Sequence, residues 1–223
     1  MDRDRRLEMT IGRLAGALPR IAIPVAAVAA FLVGALLYAW WARPVESPGR
    51  KFESIDITGV DWGRGFELTD FNGRPRTLED FRGKVVLLFF GFTHCPDMCP
   101  TTLAKLGRAM QQLGAQADQV QGLFVTVDPK RDTPQVLAQY VPAFYPGFLG
   151  LYGTDQQTAA AAKEFKVYFQ LQKPNQAGFY TVDHSGPVFV LDRAGRLRLF
   201  VSAEISAESL ARDLHVLLKE SPG

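Results

Sequence analysis

Cysteine is almost missing from this chain, with two in 223 residues. Two thiols cannot build the multi-bridge framework of a small secreted scaffold, nor a four-cysteine zinc site. They suffice for one redox pair or for two ligands of one metal. Histidine is nearly as scarce, at three. Net charge is small as well: 25 basic side chains against 23 acidic ones leave +2. No long run of Lys or Arg occurs, so the electrostatic footprint of a phosphate-backbone binder is lacking, which argues against nucleic acid as a partner. No tract is dominated by Pro, Gly or Ser and no internal repeat occurs, which excludes wholesale disorder and fibrous arrays. The rest, 47% apolar and 22% charged, is the composition of a globular chain long enough for one ordinary domain or two small ones.

The little net charge there is lies at one end. Residues 1–43 hold six arginines against three acids, whereas residues 44–223 hold 19 basic and 20 acidic side chains. Between Arg20 and Arg43 the 21 residues Ile21–Trp41 carry no charge. A helix of about 20 apolar residues crosses a hydrocarbon core of about 30 Å. Pro24 falls in the first turn, where a missing N–H costs little, and Tyr38, Trp40 and Trp41 fall where an interfacial aromatic belt is expected. Ala39-Trp40-Trp41-Ala42 offers no small-x-small cleavage site, so an uncleaved anchor is favoured over a signal peptide. Five arginines precede the segment and one follows it closely, which by the positive-inside rule keeps the N-terminus in the cytoplasm. The expected organisation is a cytoplasmic tail (1–20), one transmembrane helix (21–41), a linker (42–51, with Pro44, Pro48 and Gly49) and an exported domain (52–223). The expected location is a bacterial inner membrane with that domain in the periplasm.

Within the exported part, Phe66–Thr69 and Arg76–Leu78 flank Asn72-Gly73, which predicts a β-hairpin. Val85–Phe90 (VVLLFF) and Leu123–Val127 are uninterrupted apolar runs of strand length, read as strands covered on both faces. Leu103, Leu106, Met110 and Leu113 recur at helical spacing and stop at Gly114. Further helices are expected over Gln135–Phe144, from Thr154 or Asp155 to Phe165, and over Ser206–Leu218. Strands are expected over Phe148–Tyr152, Val167–Leu171 and Phe179–Val182, with a last hairpin formed by Val188–Leu191 and Leu197–Val201. Alternation followed by an antiparallel hairpin and a closing helix predicts one α/β domain of thioredoxin-like plan, with the added N-terminal hairpin.

Side chains with metal chemistry beyond the anchor, carboxylates apart, are Cys95, Cys99, His94, His184, His215, Met98 and Met110. The cysteines lie in GFTHCPDMCPTTL, just past the end of the first buried strand, and ligands of open α/β sheets sit at the carboxyl ends of parallel strands. Asp128 follows the neighbouring strand, and His184 just precedes a strand which, if antiparallel, starts at the same edge. Three distant segments thus meet at one rim. Cys95 and Cys99 are four apart, on one face if the segment is helical. A disulfide between them would close a five-residue loop, a weak staple of about 2 kcal/mol better suited to cycling than to holding a fold together. A helix N-terminus beyond them would lower the thiol pKa. Two thiolates and one imidazole form a soft set that suits copper(I) and leaves copper(II) open. Zinc also takes two Cys and one His, so the ligand count alone does not name the metal, and an inert structural disulfide stays an alternative.

GFTHCPDMCPTTL, VTVDPKRDTP and YTVDHSGPVFVLD, in this order behind an N-terminal anchor, resemble the Sco/SenC family of copper-handling proteins, and FELTDFNGRPRTLEDFRGK resembles that family's opening hairpin. The resemblance covers about Phe66 to Leu218. It implies a thioredoxin-like fold, a copper ion held by Cys95, Cys99 and His184, and a role in assembling the CuA centre of cytochrome c oxidase. The implied partners are the CuA-bearing oxidase subunit, other copper carriers and thiol reductases. Gly186-Pro187 directly after the histidine motif departs from many members of the family.

His94 and Met98 are read as neighbours of the site rather than ligands, His215 as a boundary residue, Met110 as core, and Lys130, Arg131 and Asp132 as a solvated loop. Asp128 is either a modulator of the site or an ordinary strand-exit turn. The Gly186–Pro187 bond is expected to be cis, turning the chain toward the sulfurs, against an ordinary trans proline at the start of a strand. Besides the metallochaperone, two other classes fit: a thiol–disulfide oxidoreductase that reduces the acceptor's cysteines, and a redox or copper sensor. A peroxidase would need an arginine that the cysteine motif lacks.

Overall fold

A computed structural model describes residues 30–38 and 51–220. Residues 30–38 are helical with exposed side chains. The remainder of the expected anchor Ile21–Trp41, the tail before it and the linker to residue 50 lie outside the described residues. No helix among the described residues is long and apolar enough to cross a membrane.

The unit from Arg50 onward is built on an eight-stranded sheet of order β1-β10-β9-β4-β5-β6-β2-β3. Its centre is parallel: β4 (Val85–Gly91), β5 (Val120–Thr126) and β6 (Leu149–Tyr152). The hairpin β2 (Glu67–Asp70) and β3 (Pro75–Thr77) extends one side through an antiparallel β2–β6 pairing. On the other side β9 (Val188–Leu191) pairs antiparallel with β4, followed by β10 (Leu197–Val201) and the two-residue β1 (Ile55–Asp56). A separate ribbon joins β7 (Phe169–Leu171) to β8 (Val182–His184). Four helices complete the unit: α1 (Met98–Leu113), α2 (Pro134–Tyr140), α3 (Asp155–Glu164) and α4 (Ala207–Lys219).

All seven residues of β4 are buried, because both faces of the strand are covered. Side chains alternate across a strand. Phe89 turns to Phe124, with ring centroids 6.0 Å apart, and Phe90 turns the opposite way to Phe165 at the end of α3, 5.8 Å away. That two-sided cover is what the unbroken VVLLFF run demanded. Helix α3 starts at a Thr154 cap closed reciprocally by Gln157, and α4 at Ser206, whose hydroxyl accepts from Ser209 N. Leu210, Leu214, Leu217 and Leu218 of α4 are buried as expected, and α4 packs along α1.

Two expectations need correction. No peptide bond among the described residues is cis, so Gly186–Pro187 is trans. His184 is aimed instead by strand pairing, opposite Phe169 in the β7–β8 ribbon, and by Ser185 N donating to Tyr168 O at 2.9 Å. The strand expected over Phe179–Val182 lies later, at Val182–His184, so His184 is itself a strand residue.

Candidate metal centre

Residue Gly91 ends β4, and nothing larger fits there. A Cβ at this position would lie 2.9 Å from Cys99 Sγ and 2.8 Å from the Phe124 ring. The missing side chain lets the Cys99 sulfur rest against the strand end. Helix α1 begins at Met98, so Cys99 stands in its first turn while Cys95 lies before it in the loop. Cys99 is fully buried and Cys95 half-buried, both as free thiols. The backbone N–H of Cys99 donates to Cys95 Sγ at 3.4 Å. From the opposite side, His184 Nε2 lies 3.4 Å from Cys99 Sγ. The two sulfurs and one ring nitrogen fall within 4.8 Å of one another, and the described residues hold no other such cluster of His, Cys, Asp or Glu.

The tautomer of His184 follows from its partners. Nδ1 lies 3.0 Å from the carbonyl oxygen of Ser185, which only accepts, so Nδ1 carries the proton and Nε2 presents its lone pair to the sulfurs. The ring lies among aromatics, edge-on to Phe92 at 5.7 Å. Burial pushes the imidazole pKa below its ordinary 6.5, which keeps the ring neutral and able to ligate.

Burial acts on the thiol in the other direction. The Cys99 pKa is driven well above the usual range, first by desolvation and then by its neighbours Cys95 and Asp132. This corrects the expectation of a lowered value: at a fully buried sulfur the helix N-terminus does not offset the loss of water. Iodoacetamide at pH 8 is therefore expected to alkylate Cys95 at least about tenfold faster than Cys99, since the thiolate is the nucleophile and each pKa unit is a tenfold change in its population. Peptide mass spectrometry over a time course reads the order. Equal rates at the two positions would show that Cys99 is neither buried nor protonated as described.

The loop read as solvated is in fact the buried frame of this site. Asp128 and Asp132 are both fully buried. Asp132 accepts from Thr93 N at 3.0 Å, Thr93 Oγ1 at 2.5 Å and Thr126 Oγ1 at 2.6 Å, tying the cysteine loop to the end of β5. Asp128 accepts from Arg131 Nε and from Tyr180 OH at 2.9 Å. The Arg131 guanidinium stacks on the Tyr180 ring at 3.7 Å and donates to the Tyr180 carbonyl at 2.8 Å. Tyr180 stands two residues before β8, so this clamp secures the chain that delivers His184. Lys130 alone remains exposed. The sequence signal was the doubled aspartate of VDPKRDTP, whose carboxylates are buried because hydroxyl, amide and guanidinium donors meet them.

The other named side chains fall outside the triad. His94 is exposed, with Nδ1 3.1 Å from Thr93 Oγ1, and Met98 is half-buried beside the histidine loop. Met110 is core and His215 sits at a boundary on α4, both as expected.

Known proteins are similar to this chain in sequence and in fold. The human mitochondrial SCO2 homolog is 41% identical over 179 residues, covering 78% of this chain and 67% of that protein. Bradyrhizobium japonicum ScoI, solved with copper bound, is 38% identical at a TM-score of 0.66, covering 70% of this chain and 99% of the other. Yeast Sco1, also solved with copper bound, is 32% identical at a TM-score of 0.68, with coverages of 74% and 92%. The domain therefore has the thioredoxin-like α/β fold of the Sco structures. The sequence model of SCO1/SenC matches residues 56–219, from the first strand through the last helix, and on that span the chain belongs to the SCO1/SenC family.

Proposed function

We propose that this protein is a copper chaperone anchored in a bacterial inner membrane, which holds its cargo with Cys95, Cys99 and His184 and serves assembly of the CuA centre of cytochrome c oxidase. The observation that carries the reading is the meeting of two sulfurs and one neutral imidazole within 4.8 Å at a half-buried rim. That donor set is soft and low-coordinate, which suits copper(I) and also accepts copper(II). Copper in the Bradyrhizobium and yeast relatives supports copper over zinc. Cys95, half-exposed on the loop, is the donor that an acceptor's thiol reaches first, while Cys99 and His184 hold from behind. Because burial keeps the proton on Cys99, loading displaces that proton.

The charge-free run Ile21–Trp41 between Arg20 and Arg43, with its arginine-rich leading side, supports the anchor and a periplasmic domain. The CuA-bearing oxidase subunit is the proposed acceptor, and copper carriers or thiol reductases of the same compartment are the proposed upstream partners.

Copper stoichiometry of the reduced unit from Arg50 onward tests the ligand set. One copper per chain is expected for the wild type. His184→Ala is expected to weaken copper(I) at least about a hundredfold and to change the thiolate–copper(II) absorption, a direct ligand outweighing the supporting groups around it. Unchanged affinity and spectrum in that variant would leave a dithiol reductase as the reading.

A further inference from the structure

We propose that Met98 is a positioning residue that latches the His184 loop against the two sulfurs through its contact with Gly186. The inference rests on copper being held at Cys95, Cys99 and His184. A Cβ added at Gly186 would lie 2.5 Å from Met98 Sδ and 3.2 Å from Met98 Cε, so the thioether lies directly on the Gly186 backbone. Real Cβ atoms do not approach that closely, and only glycine lets the sulfur settle there.

What is clamped matters more than the contact itself. Gly186 shares its peptide plane with Ser185, whose carbonyl oxygen accepts from His184 Nδ1 at 3.0 Å. That hydrogen bond sets both the tautomer and the direction of Nε2. Pressure on Gly186 thus bears on the one peptide that orients the ligand. The loop is held elsewhere from the other side, where Ser185 N donates to Tyr168 O at 2.9 Å. Met98 opens α1 directly before Cys99, so the latch joins the element that carries a sulfur to the one that carries the imidazole. A methionine suits this place, because its unbranched, polarizable side chain fills an irregular gap. The Gly186-Pro187 pair then acquires a role: glycine receives the thioether, and the trans proline leads into β9.

The test is a size swap in the full chain, purified in detergent and reduced. Met98→Ala removes the latch and is expected to weaken copper(I), measured against a chromophoric copper(I) chelator, by about tenfold, the usual effect of losing a group that orients a ligand. Met98→Leu keeps the bulk and is expected to hold copper as the wild type does. Gly186→Ala alone is expected to weaken copper, because its methyl meets Sδ. Met98→Ala combined with Gly186→Ala should recover part of either loss, since the new methyl occupies the emptied space; such non-additivity marks direct contact. In the metal-free protein, the His184 ring proton resonances are expected to be single and sharp in the wild type and broadened in Met98→Ala. Additive losses in the double variant, or unchanged copper affinity in Met98→Ala, would overturn the latch. So would Met98→Leu losing as much as Met98→Ala, which would make the sulfur itself the operative group. If the wild type binds no copper, the chaperone reading fails, and unbroadened His184 resonances in metal-free Met98→Ala overturn the latch independently.

Discussion

Oxidation of Cys95 and Cys99 to a disulfide is expected to abolish copper retention, reducing affinity by more than about 10⁴-fold, because both soft donors are consumed and one imidazole remains. Two thiols lose two protons and two electrons as the S–S bond forms, with an added reagent such as diamide accepting the electrons. The geometry allows closure by movement of one partner. Cys99 is pinned between the first turn of α1 and the end of β4, where even a Cβ on Gly91 would crowd its sulfur at 2.9 Å. Cys95 lies outside the helix on a half-buried loop and already faces the Cys99 N–H at 3.4 Å, so it is the residue that travels. Its loop is held from behind by Thr93 on Asp132 and by Cys95 N donating to Phe92 O at 3.3 Å, so the Cys95 side chain is the part that turns. Protein oxidised quantitatively, loaded with copper(I) and passed through gel filtration should elute without metal. Dithiothreitol treatment, removal of the reductant and reloading with copper(I) should restore one copper per chain. Equal copper in oxidised and reduced protein would show that the thiols are not the ligands.

The sequence made the centre of the fold legible and left its polar frame hidden. VVLLFF could be read as a strand covered on both faces because burying six consecutive apolar side chains leaves no solvent side, and β4 is buried throughout. The hairpin around Asn72-Gly73 was legible for a different reason: Gly73 takes φ +80°, a conformation the dipeptide signals. Both cysteines and His184 could be placed at one rim because strand direction alone carries them there. Two of the misreadings share one physical cause. Lys130, Arg131 and Asp132 look solvated in sequence, since an unpaired charge is costly to bury. Whether a carboxylate has three donors waiting is settled by residues as far away as Thr93 and Thr126, which no local pattern connects. The thiol pKa went astray in the same manner. The helix N-terminus is a local feature and could be anticipated, whereas the desolvation that overrides it comes from the end of β4 and the Phe124 ring, which only the folded sheet brings to the sulfur. The edge strand β1 at Ile55–Asp56 was missed because two residues carry no periodicity.

Replacing Asp132 by alanine is expected to destabilise the domain by about 3 kcal/mol, the cost of stranding buried donors that had paired with a charged acceptor. Oδ2 accepts from Thr93 N and Thr126 Oγ1, and Oδ1 from Thr93 Oγ1, so alanine strands an amide and two hydroxyls at a position with no solvent exposure. For a unit of this size the change corresponds to a melting temperature lower by about 10 °C. Asparagine separates the roles of charge and shape. Its single oxygen at the Oδ2 position still accepts from Thr93 N and Thr126 Oγ1. Its amide nitrogen at the Oδ1 position donates to the Thr93 hydroxyl, which turns to donate to His94 Nδ1, 3.1 Å away. Asp132→Asn is therefore expected to cost only about 1 kcal/mol, the difference between a charge-assisted and a neutral hydrogen bond. Copper retention should follow the same order, since Thr93 stands two residues before Cys95 and a released loop no longer presents that sulfur to Cys99 and His184. Urea unfolding of the reduced, metal-free unit measures the stabilities, and chelator competition measures the copper. An alanine variant as stable as the wild type would mean that the loop stands without the carboxylate. If the asparagine variant were as unstable as alanine, the negative charge itself, rather than the pattern of acceptors, would be what Thr93 and Thr126 require.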